Sequence, residues 1–325
     1  MWKHNLGFLL LASATLWAGT DLDTFGLQKF YPNLAGSREW NSAHWANGQA
    51  RTIKYDVDPF DPTDWTEDHS ASSNGFVIDG LGVMRMTGDS PRFHVNSLRT
   101  TKGAAQFFLN TEFTAYYRRI GNNGANWGGM IVGVRSDPLG HASSGGDDCN
   151  ATTYYARFRH DGKWDIEKEL KHPASDYWSG SGFHTQDPLW GGNPLPENRW
   201  IGMKYIAHNI ATNQVKLELY IDSTTNGEGT GGGDWKKVGE VIDQGAFPAA
   251  PSPISGCTYT DEKTVIAQGH GTILMRTDGD EAEYKKLTIR EIDTTTPSSI
   301  RDGVPRIIPR VFGLGLVRYD LLGRQ

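Results

Sequence analysis

The stretch QVKLELYID, residues 214–222, decides the fold of this chain. Its residues fall into two alternating sets, an apolar one (Val215, Leu217, Leu219, Ile221) and a mostly polar one (Lys216, Glu218, Tyr220, Asp222). Alternation with a period of two is typical of a β-strand that buries one face and leaves the other in water. We therefore predict a half-buried strand here.

Similar short segments recur along the chain between about residues 20 and 293, with no internal repeat and no second linker. They include GFVIDGLGVMRMTG, FFLNTEFTAYYRRI, WGGMIVGVRS, RWIGMKYIAHNI, WKKVGEVID, GTILMRTDG and YKKLTIREI. Gly, Asn, Asp and Pro residues separate them, as expected for strands joined by turns. This pattern predicts an all-β protein, a two-sheet antiparallel sandwich or a barrel.

The composition supports a globular domain and excludes one class of partner. The 325 residues are 37% hydrophobic, which is enough for a sizeable core. The formal charge of -6 comes without a basic stripe that would neutralise phosphates. We therefore expect no nucleic-acid partner.

The two ends of the chain differ from its middle. Residues 1–19 combine Lys3, an apolar run and small residues at the end, which predicts a secretory signal peptide and no membrane span in the mature chain. Residues 294–300 form a Thr/Pro/Ser linker. Residues 301–325 are basic, and their closing VRYDLLGR resembles C-terminal sorting tails of Gram-negative bacteria. This resemblance implies a secreted or cell-surface protein that meets export machinery, whereas a final strand of the main domain is the alternative.

The chain has two cysteines, Cys149 and Cys257. In an oxidising compartment they can pair and close a loop of about a hundred residues, worth ~4 kcal/mol on the chain-entropy model. Neither belongs to a CxxC or CxxH spacing, so a zinc site is not expected. We predict a disulfide.

The second half of the chain resembles a known family. The runs RWIGMKYIAHN, QVKLELYIDS, GGDWKKVGEVID and HGTILMRTDGDEAEYKKLTIREI follow in the order found in secreted jelly-roll domains of the concanavalin A-like lectin/glucanase type. The resemblance covers roughly residues 95–293 and implies a jelly-roll domain over residues 20–293 whose concave sheet holds a sugar chain. Such domains include glycoside hydrolases, polysaccharide lyases and non-catalytic binding modules, among which fold alone cannot choose.

A charged hairpin, YYARFRHDGKWDIEKELKH at residues 154–172, offers candidate catalytic groups. Asp161 and Gly162 suit a type I′ turn, so we expect His160 to face Lys163. That register predicts one face with Tyr154, Ala156, Phe158, Asp165, Glu167 and Glu169, and another with Tyr155, Arg157, Arg159, Trp164, Ile166 and Lys168. A slip of one residue would exchange the faces and bring the arginines opposite the acids, and both registers stay open.

The three acids of the hairpin predict a glycosidase site. The spacing of Asp165, Glu167 and Glu169 is similar to the E-x-D-x-E strand of laminarinase- and lichenase-type hydrolases, although the order of Asp and Glu differs. That resemblance implies a retaining pair, Asp165 and Glu169, tuned by Glu167. We expect Glu169 to matter most, since it lies farthest from the turn and close to His172, where desolvation raises a carboxyl pKa.

The basic residues of the same hairpin allow a second chemistry. Arg157, Arg159, Lys168 and His172 are candidates to hold a uronate carboxylate while Tyr155 or His172 moves the proton of a lyase reaction. A third alternative is a solvated surface strand without a catalytic role. Further candidate substrate contacts are Lys204 and His208 on one strand, and Trp178 and Trp190 in glycine-rich loops.

These patterns together predict a secreted enzyme that acts on a cell-wall polysaccharide. A hydrolase is slightly favoured over a uronan lyase, and a non-catalytic carbohydrate-binding module is the third alternative. No cofactor is expected, although the acidic runs DPFDPTDWTEDH and GGDD could bind a structural Ca²⁺ without matching a known calcium-loop spacing.

Overall fold

The computed structural model describes residues 22–53, 56–70, 75–98, 108–122, 126–136, 152–171, 174–224, 232–245, 247 and 263–295. The predicted signal peptide, both cysteines, His172, the GGDD run, residues 296–300 of the linker and the C-terminal tail lie outside these ranges. Within the described residues, no helix has the length and hydropathy needed to cross a bilayer.

The described chain is built from strands and one 3-10 turn. The first strands are β1 (Trp40–Asn41), β2 (Arg51–Thr52), β3 (Asp56–Val57), β4 (Trp65–Ser70), β5 (Gly75–Ile78), β6 (Val83–Thr87), β7 (Arg92–Ser97), β8 (Thr111–Asn122) and β9 (Gly129–Ser136). The remainder are β10 (Thr153–Arg159), β11 (Lys163–Lys171), β12 (Ala174–Ser179), β13 (Gly182–Phe183), β14 (Asp187–Pro188), β15 (Trp200–Ala211), β16 (Gln214–Asp222), β17 (Lys236–Asp243), β18 (Thr272–Arg276) and β19 (Asp280–Glu291). The 3-10 turn is Ser42–Ala46.

The strands form two antiparallel sheets packed face to face, which confirms the predicted β-sandwich. The nine-stranded sheet has the order β17-β16-β15-β8-β19-β6-β5-β2, with β1 beside β19. The ten-stranded sheet has the order β13-β12-β11-β10-β9-β18-β7-β4-β3, with β14 beside β11. Non-consecutive neighbours such as β19 and β8 show that the chain crosses repeatedly between the sheets.

The core lies between the inner faces of the two sheets. Strand β16 behaves as its alternation predicts, since Val215, Leu217, Leu219 and Ile221 all belong to the main hydrophobic cluster. The ten-stranded sheet contributes Met130, Val132, Val134, Tyr154, Ala156, Phe158 and Ile166 to the same cluster. Each sheet therefore has an inner apolar face and an outer face available for other chemistry.

The outer face of the nine-stranded sheet is covered by the N-terminal segment, residues 22–34. Phe30 and Tyr31 pack there with Ile206, Tyr220 and Ile292. The backbone N–H of Phe30 also donates to the carboxylate of Glu112 on β8. This segment closes one side of the sandwich.

Candidate functional site

The charged hairpin of β10 and β11 adopts the register that lies one residue away from the type I′ prediction. Arg157 pairs with Asp165 and Tyr155 with Glu167, so the expected pairing of His160 with Lys163 is wrong. The loop has three residues, His160, Asp161 and Gly162, and the N–H of Gly162 donates to the carbonyl of Arg159 at 3.0 Å. Gly162 has a φ of 81°, the left-handed third position that such loops require.

This register exchanges the two faces of the hairpin. Tyr154, Ala156, Phe158, Trp164 and Ile166 point into the core. Tyr155 and Arg157 instead share the outer face with Asp165, Glu167 and Glu169. The three acids therefore line one face of β11 as predicted, but the basic and aromatic groups stand beside them rather than behind them.

The same outer face continues across the neighbouring strands in register. One row runs Arg92, Arg276, Ile131, Arg157 and Asp165, and the next runs His94, Leu274, Gly133, Tyr155, Glu167 and Tyr177. A third row contains Asn96, Thr272, Thr153, Glu169 and Ser175. We call this outer surface of the ten-stranded sheet the polar face.

Arg157 ties two of the three acids together. Its Nε and one terminal nitrogen donate to the two oxygens of Asp165 at 2.5 and 2.6 Å, and its other terminal nitrogen lies 2.9 Å from Glu167. Tyr177 lies against the guanidinium, with 4.4 Å between the carbon and the ring centre. Burial lowers the pKa of Arg157, but Asp165 and Glu167 more than offset this and keep it above its ordinary value. Arg157 and Asp165 are thus fixed to each other.

Tyr155 lies at the centre of the polar face. Its ring extends over Gly133, where an added Cβ would come within 2.9 Å of a ring carbon. Ile131 and Leu274 pack with it. The hydroxyl is buried and has no hydrogen-bond partner among the described residues. Burial, and then the charge of Glu169, raise the pKa of Tyr155 above its ordinary value. The hydroxyl is therefore neutral and able to donate.

Two arginines flank Tyr155 on the side away from the acids. Arg276 lies over the Tyr155 ring at 5.1 Å, and Asp278 binds its Nε and one terminal nitrogen at 3.2 and 2.6 Å. Arg92 donates from one terminal nitrogen to the Ser90 carbonyl at 3.2 Å, whereas its Nε is buried and has no partner within the described ranges. Burial and then the charge of Arg276 lower the pKa of Arg92. The pair concentrates positive charge beside a neutral hydroxyl.

The acids nearest Tyr155 behave differently from Asp165. Burial raises the pKa of Glu167, and the negative charge of Glu169 adds to this against the opposing pull of Arg157. Glu169 is itself buried. The charged form of Glu167 is therefore less favoured than that of an exposed glutamate.

Several residues predicted for the site lie elsewhere. Lys168 points into the core, where its ammonium binds Asp243 at 2.9 Å and the Phe247 carbonyl at 2.5 Å. Arg159, by contrast, stays on the outer face, where it pairs with Asp161 of its own loop at 2.8 Å and lies 3.9 Å from Asp165. The inward direction of Lys168 follows from the register, since a one-residue shift exchanges the faces of the strand.

Lys204 and His208 lie on the outer face of the other sheet, on the far side of the sandwich. The Lys204 ammonium binds Glu112 and Thr114, each at 2.7 Å. His208 lies 3.2 Å from the Tyr31 hydroxyl, beneath the N-terminal segment. The expectation that they reach the same cleft as the hairpin is wrong, because β15 belongs to the nine-stranded sheet.

The predicted tryptophan platforms are partly buried. Trp178 and Trp190 both pack against the main core, and Trp178 meets Trp164 edge to face at 6.2 Å. Trp127, in the loop before β9, is instead 55% exposed. An indole that packs against the core offers little ring surface to a sugar.

Sequence reasoning missed the other half of the polar face. Arg92, His94 and Asn96 alternate along β7 with the buried Phe93 and Val95. That alternation was visible in the sequence RFHVNS, and Arg276 is the one basic residue of TILMR. Sequence alone does not show that β18 lies two strands and β7 three strands from β10, which the topology reveals.

One cluster has the composition of a metal site, and it includes two residues of the acidic run at 58–69. His44, Asp58 and Glu67 bring ligand atoms within 4.8 Å of one another. However, Asp58 accepts from the Trp40 indole at 2.9 Å, and Glu67 accepts from the Trp45 indole at 3.1 Å and from Arg51. These oxygens already receive N–H donors and a guanidinium, so the residues do not fit a bound Ca²⁺.

No protein-family model and no curated protein sequence match this chain. Among solved structures it is similar to the exoplasmic/lumenal domain of VIP36 in a Ca²⁺/Man3GlcNAc-bound form, with 11% identity and a TM-score of 0.38 over 75% of this chain and 91% of that one. It is also similar to the Emp46p carbohydrate recognition domain, metal-free form (10%, TM-score 0.39, 74% and 95% coverage), and to alginate lyase vAL-1 from Chlorella virus (8%, TM-score 0.39, 74% and 98%). These scores carry no argument about function, which rests on the side chains described above.

Proposed function

We propose that this protein is a secreted enzyme that cleaves a uronate-containing polysaccharide by β-elimination on the polar face. The observation that carries the proposal is the buried Tyr155 hydroxyl, which has no hydrogen-bond partner in the described part of the chain and lies beside two arginines. A buried polar group without a partner costs about 1–3 kcal/mol, so it is retained where a ligand completes it. The predicted signal peptide and sorting tail support action outside the cell.

Arg92 and Arg276 supply the electrostatic part of this reaction. β-Elimination removes the proton at C5, next to the uronate carboxylate, and charge accumulates on that carboxylate. Two guanidiniums that bind it stabilise the developing dianion, as preorganised donors do in other enolate reactions. Asp278 occupies one side of Arg276 and so fixes the direction of its remaining terminal nitrogen.

Tyr155 and His94 supply the proton transfers. His94 lies in the same row as Tyr155, with Leu274 and Gly133 between them, and takes the C5 proton as base. The C5–H electron pair forms the C4=C5 double bond as the C4–O bond breaks. The neutral Tyr155 hydroxyl gives its proton to the departing glycosidic oxygen. One proton is gained by His94 and one is lost by Tyr155, and exchange with water restores both.

The acids of β11 set the charge of the neighbouring subsite. Glu167 and Glu169 border Tyr155 on the side opposite Arg92. A second uronate placed against them would be repelled. We therefore expect the best substrate to carry an uncharged sugar next to the reactive uronate.

A panel of polysaccharides tests this proposal. A lyase acting on uronans generates an unsaturated product that absorbs in the ultraviolet, and we expect this from a heteropolysaccharide with spaced uronates more than from a homopolyuronate. New reducing ends from neutral glycans, without absorbance, would overturn it in favour of a hydrolase. Retardation in a glycan gel without any product would identify a binding module.

The hydrolase is the second candidate, because the three acids of β11 share one face and burial raises the pKa of Glu167. In that case Glu169 is the acid, and Glu169→Gln should lower turnover on a neutral glycan by roughly 10²–10⁴-fold. Asp165 is a poor nucleophile in this arrangement, since Arg157 binds both of its oxygens.

A further inference from the structure

Arg135, at the end of β9, is a buried cation for which the described residues supply no carboxylate. The side chain is fully buried. One terminal nitrogen donates to the side-chain oxygen of Asn209 at 2.8 Å and to the Ile266 carbonyl at 2.7 Å. Its Nε and other terminal nitrogen are buried, and no residue that the structure describes is their hydrogen-bond partner. Leaving an unpaired charge in a protein interior costs several kcal/mol.

A β-bulge turns Arg135 inward. Val134 and Arg135 together oppose Ile273 of β18, because Leu274 pairs with Gly133 and Thr272 with Ser136. Arg135 has a φ of 54°, in the left-handed region that residues other than glycine rarely adopt. By alternation it would follow Ile131 and Gly133 onto the polar face. The bulge instead directs it between the sheets, as bulges do when they re-aim a side chain.

A second unpaired donor lies on β15, the strand whose Asn209 accepts a hydrogen bond from Arg135. The Tyr205 hydroxyl, on β15 of the opposite sheet, is buried without a partner among the described residues. Burial raises the pKa of Tyr205, and the positive charge of Arg135 opposes this rise. Burial lowers the pKa of Arg135 to about 10, so the guanidinium stays charged at neutral pH. Among the described residues, a strained backbone, a charge without a carboxylate partner and three unpaired donor atoms therefore occur together.

We propose that Arg135 and Tyr205 form a buried site for a compact monovalent anion of chloride size. Nε and the free terminal nitrogen of a guanidinium form the fork that receives an anion bidentately, and the Tyr205 hydroxyl completes the donor set. Water would satisfy the donors but would leave the charge unbalanced. The anion links the two sheets behind the polar face and is independent of the reaction proposed there.

Thermal unfolding in chloride tests this site. The mature protein is prepared in sodium gluconate and titrated with sodium chloride at constant ionic strength. We expect a saturable rise in Tm on the order of 2–4 °C. Arg135→Met keeps the length of the side chain without its charge and should abolish the chloride dependence. Arg85→Met, which removes an exposed ion pair with Glu281, should leave the dependence intact.

The anion site is overturned if the wild-type Tm does not respond to chloride, or if Arg135→Met responds as the wild type does. Should Arg135→Met fail to fold, crystals of the wild type grown in bromide decide the question. An anomalous peak within hydrogen-bonding reach of Arg135 Nε and the Tyr205 hydroxyl supports the site. A water molecule or no density at that position contradicts it.

Discussion

The outer faces of the two sheets both carry buried charged groups, but the two faces differ in how these groups are hydrogen-bonded. On the nine-stranded sheet, Glu112 accepts from Lys204 at 2.7 Å and from the backbone of Phe30, and it forms an ion pair with Arg290 at 2.5 Å. Arg290 also donates to the Tyr31 carbonyl at 2.6 Å. On the polar face, by contrast, the Tyr155 hydroxyl and the Nε of Arg92 have no partner among the described residues.

We take this difference to separate a structural charge network from the one that we propose to be catalytic. The Glu112 network pairs its charges and is covered by the N-terminal segment. We infer that it anchors this segment to the sheet. The polar face leaves donors idle next to concentrated charge, which lowers stability unless a ligand uses them. Substitutions on the two faces should therefore affect different properties.

The largest expected effect is on turnover and belongs to Tyr155. Tyr155→Phe removes only the idle hydroxyl, so product formation from a uronan should fall roughly 10²–10⁴-fold while stability is unchanged or slightly raised. Initial rates of ultraviolet absorbance, with a denaturation curve on the same sample, check both parts. Unchanged turnover in the folded variant would remove Tyr155 from the mechanism.

The next largest effect is on stability and belongs to Glu112. Glu112→Gln leaves Lys204 and Arg290 as an uncompensated buried pair, so the free energy of unfolding should fall by about 3–5 kcal/mol. Turnover per folded molecule should stay within about twofold of wild type. Urea unfolding and rates corrected for the folded fraction measure the two. A comparable loss of turnover in the folded protein would break the distinction between the faces.

Arg92 should show a binding effect. Arg92→Met removes one charge-assisted contact to the uronate carboxylate, worth about 1.5–3 kcal/mol, so kcat/KM should fall roughly 10–150-fold. Stability should not fall, because a guanidinium near Arg276 disappears. Arg85→Met on the other sheet is the matched control and should leave kcat/KM unchanged. Equal kinetic losses in both variants would point to a general charge effect instead.

The smallest effects concern pH and have opposite signs on the two faces. Burial raises the pKa of Glu218, but hydrogen bonds from His208 and Lys237 outweigh it and hold the pKa well below its ordinary value. Its stabilisation is thus present above about pH 4.5 and lost as the pH falls through the lowered pKa. The pKa of Glu167 is raised instead, so the protein loses stability as the pH rises from about 4.5 through that raised pKa.

Glu218→Gln should therefore cost about 1–3 kcal/mol near pH 7 and less in acid. Glu167→Gln should cost nothing near pH 7 and flatten the fall in stability between pH 4.5 and the raised pKa. Urea unfolding across a pH series measures both slopes. Parallel pH profiles for the two variants would contradict the contrast.

The sandwich could be predicted from the sequence because alternation is a local property. Strand β16 has its apolar set in the core, as the period of two requires. The register of the hairpin could not be predicted, because it depends on whether the connecting loop has two or three residues. Gly162 takes the left-handed position of the longer loop. It packs against Asn193, whose carbonyl oxygen would lie 1.8 Å from a Cβ added at Gly162. Only the packing of that distant loop distinguishes the two.

The site was predicted only in half for a similar reason. Tyr155, Glu167 and Glu169 lie on one hairpin and could be found from its sequence. Arg276 reaches Tyr155 across β9, which places residues 121 positions apart on adjacent parts of one surface. Lys204 shows the reverse error, since a similar alternation of polar residues serves a closed network on the opposite sheet.

Mass spectrometry of the products formed in H₂¹⁸O tests the central claim most directly. β-Elimination breaks the C4–O bond without adding water, so oligosaccharides released from a uronan should be unsaturated, one water lighter than hydrolysis products, and free of ¹⁸O at the new ends at early times. Tyr155→Phe should produce them far more slowly. Saturated products that incorporate one ¹⁸O per cleavage would contradict the account and assign the polar face to hydrolysis by its acids.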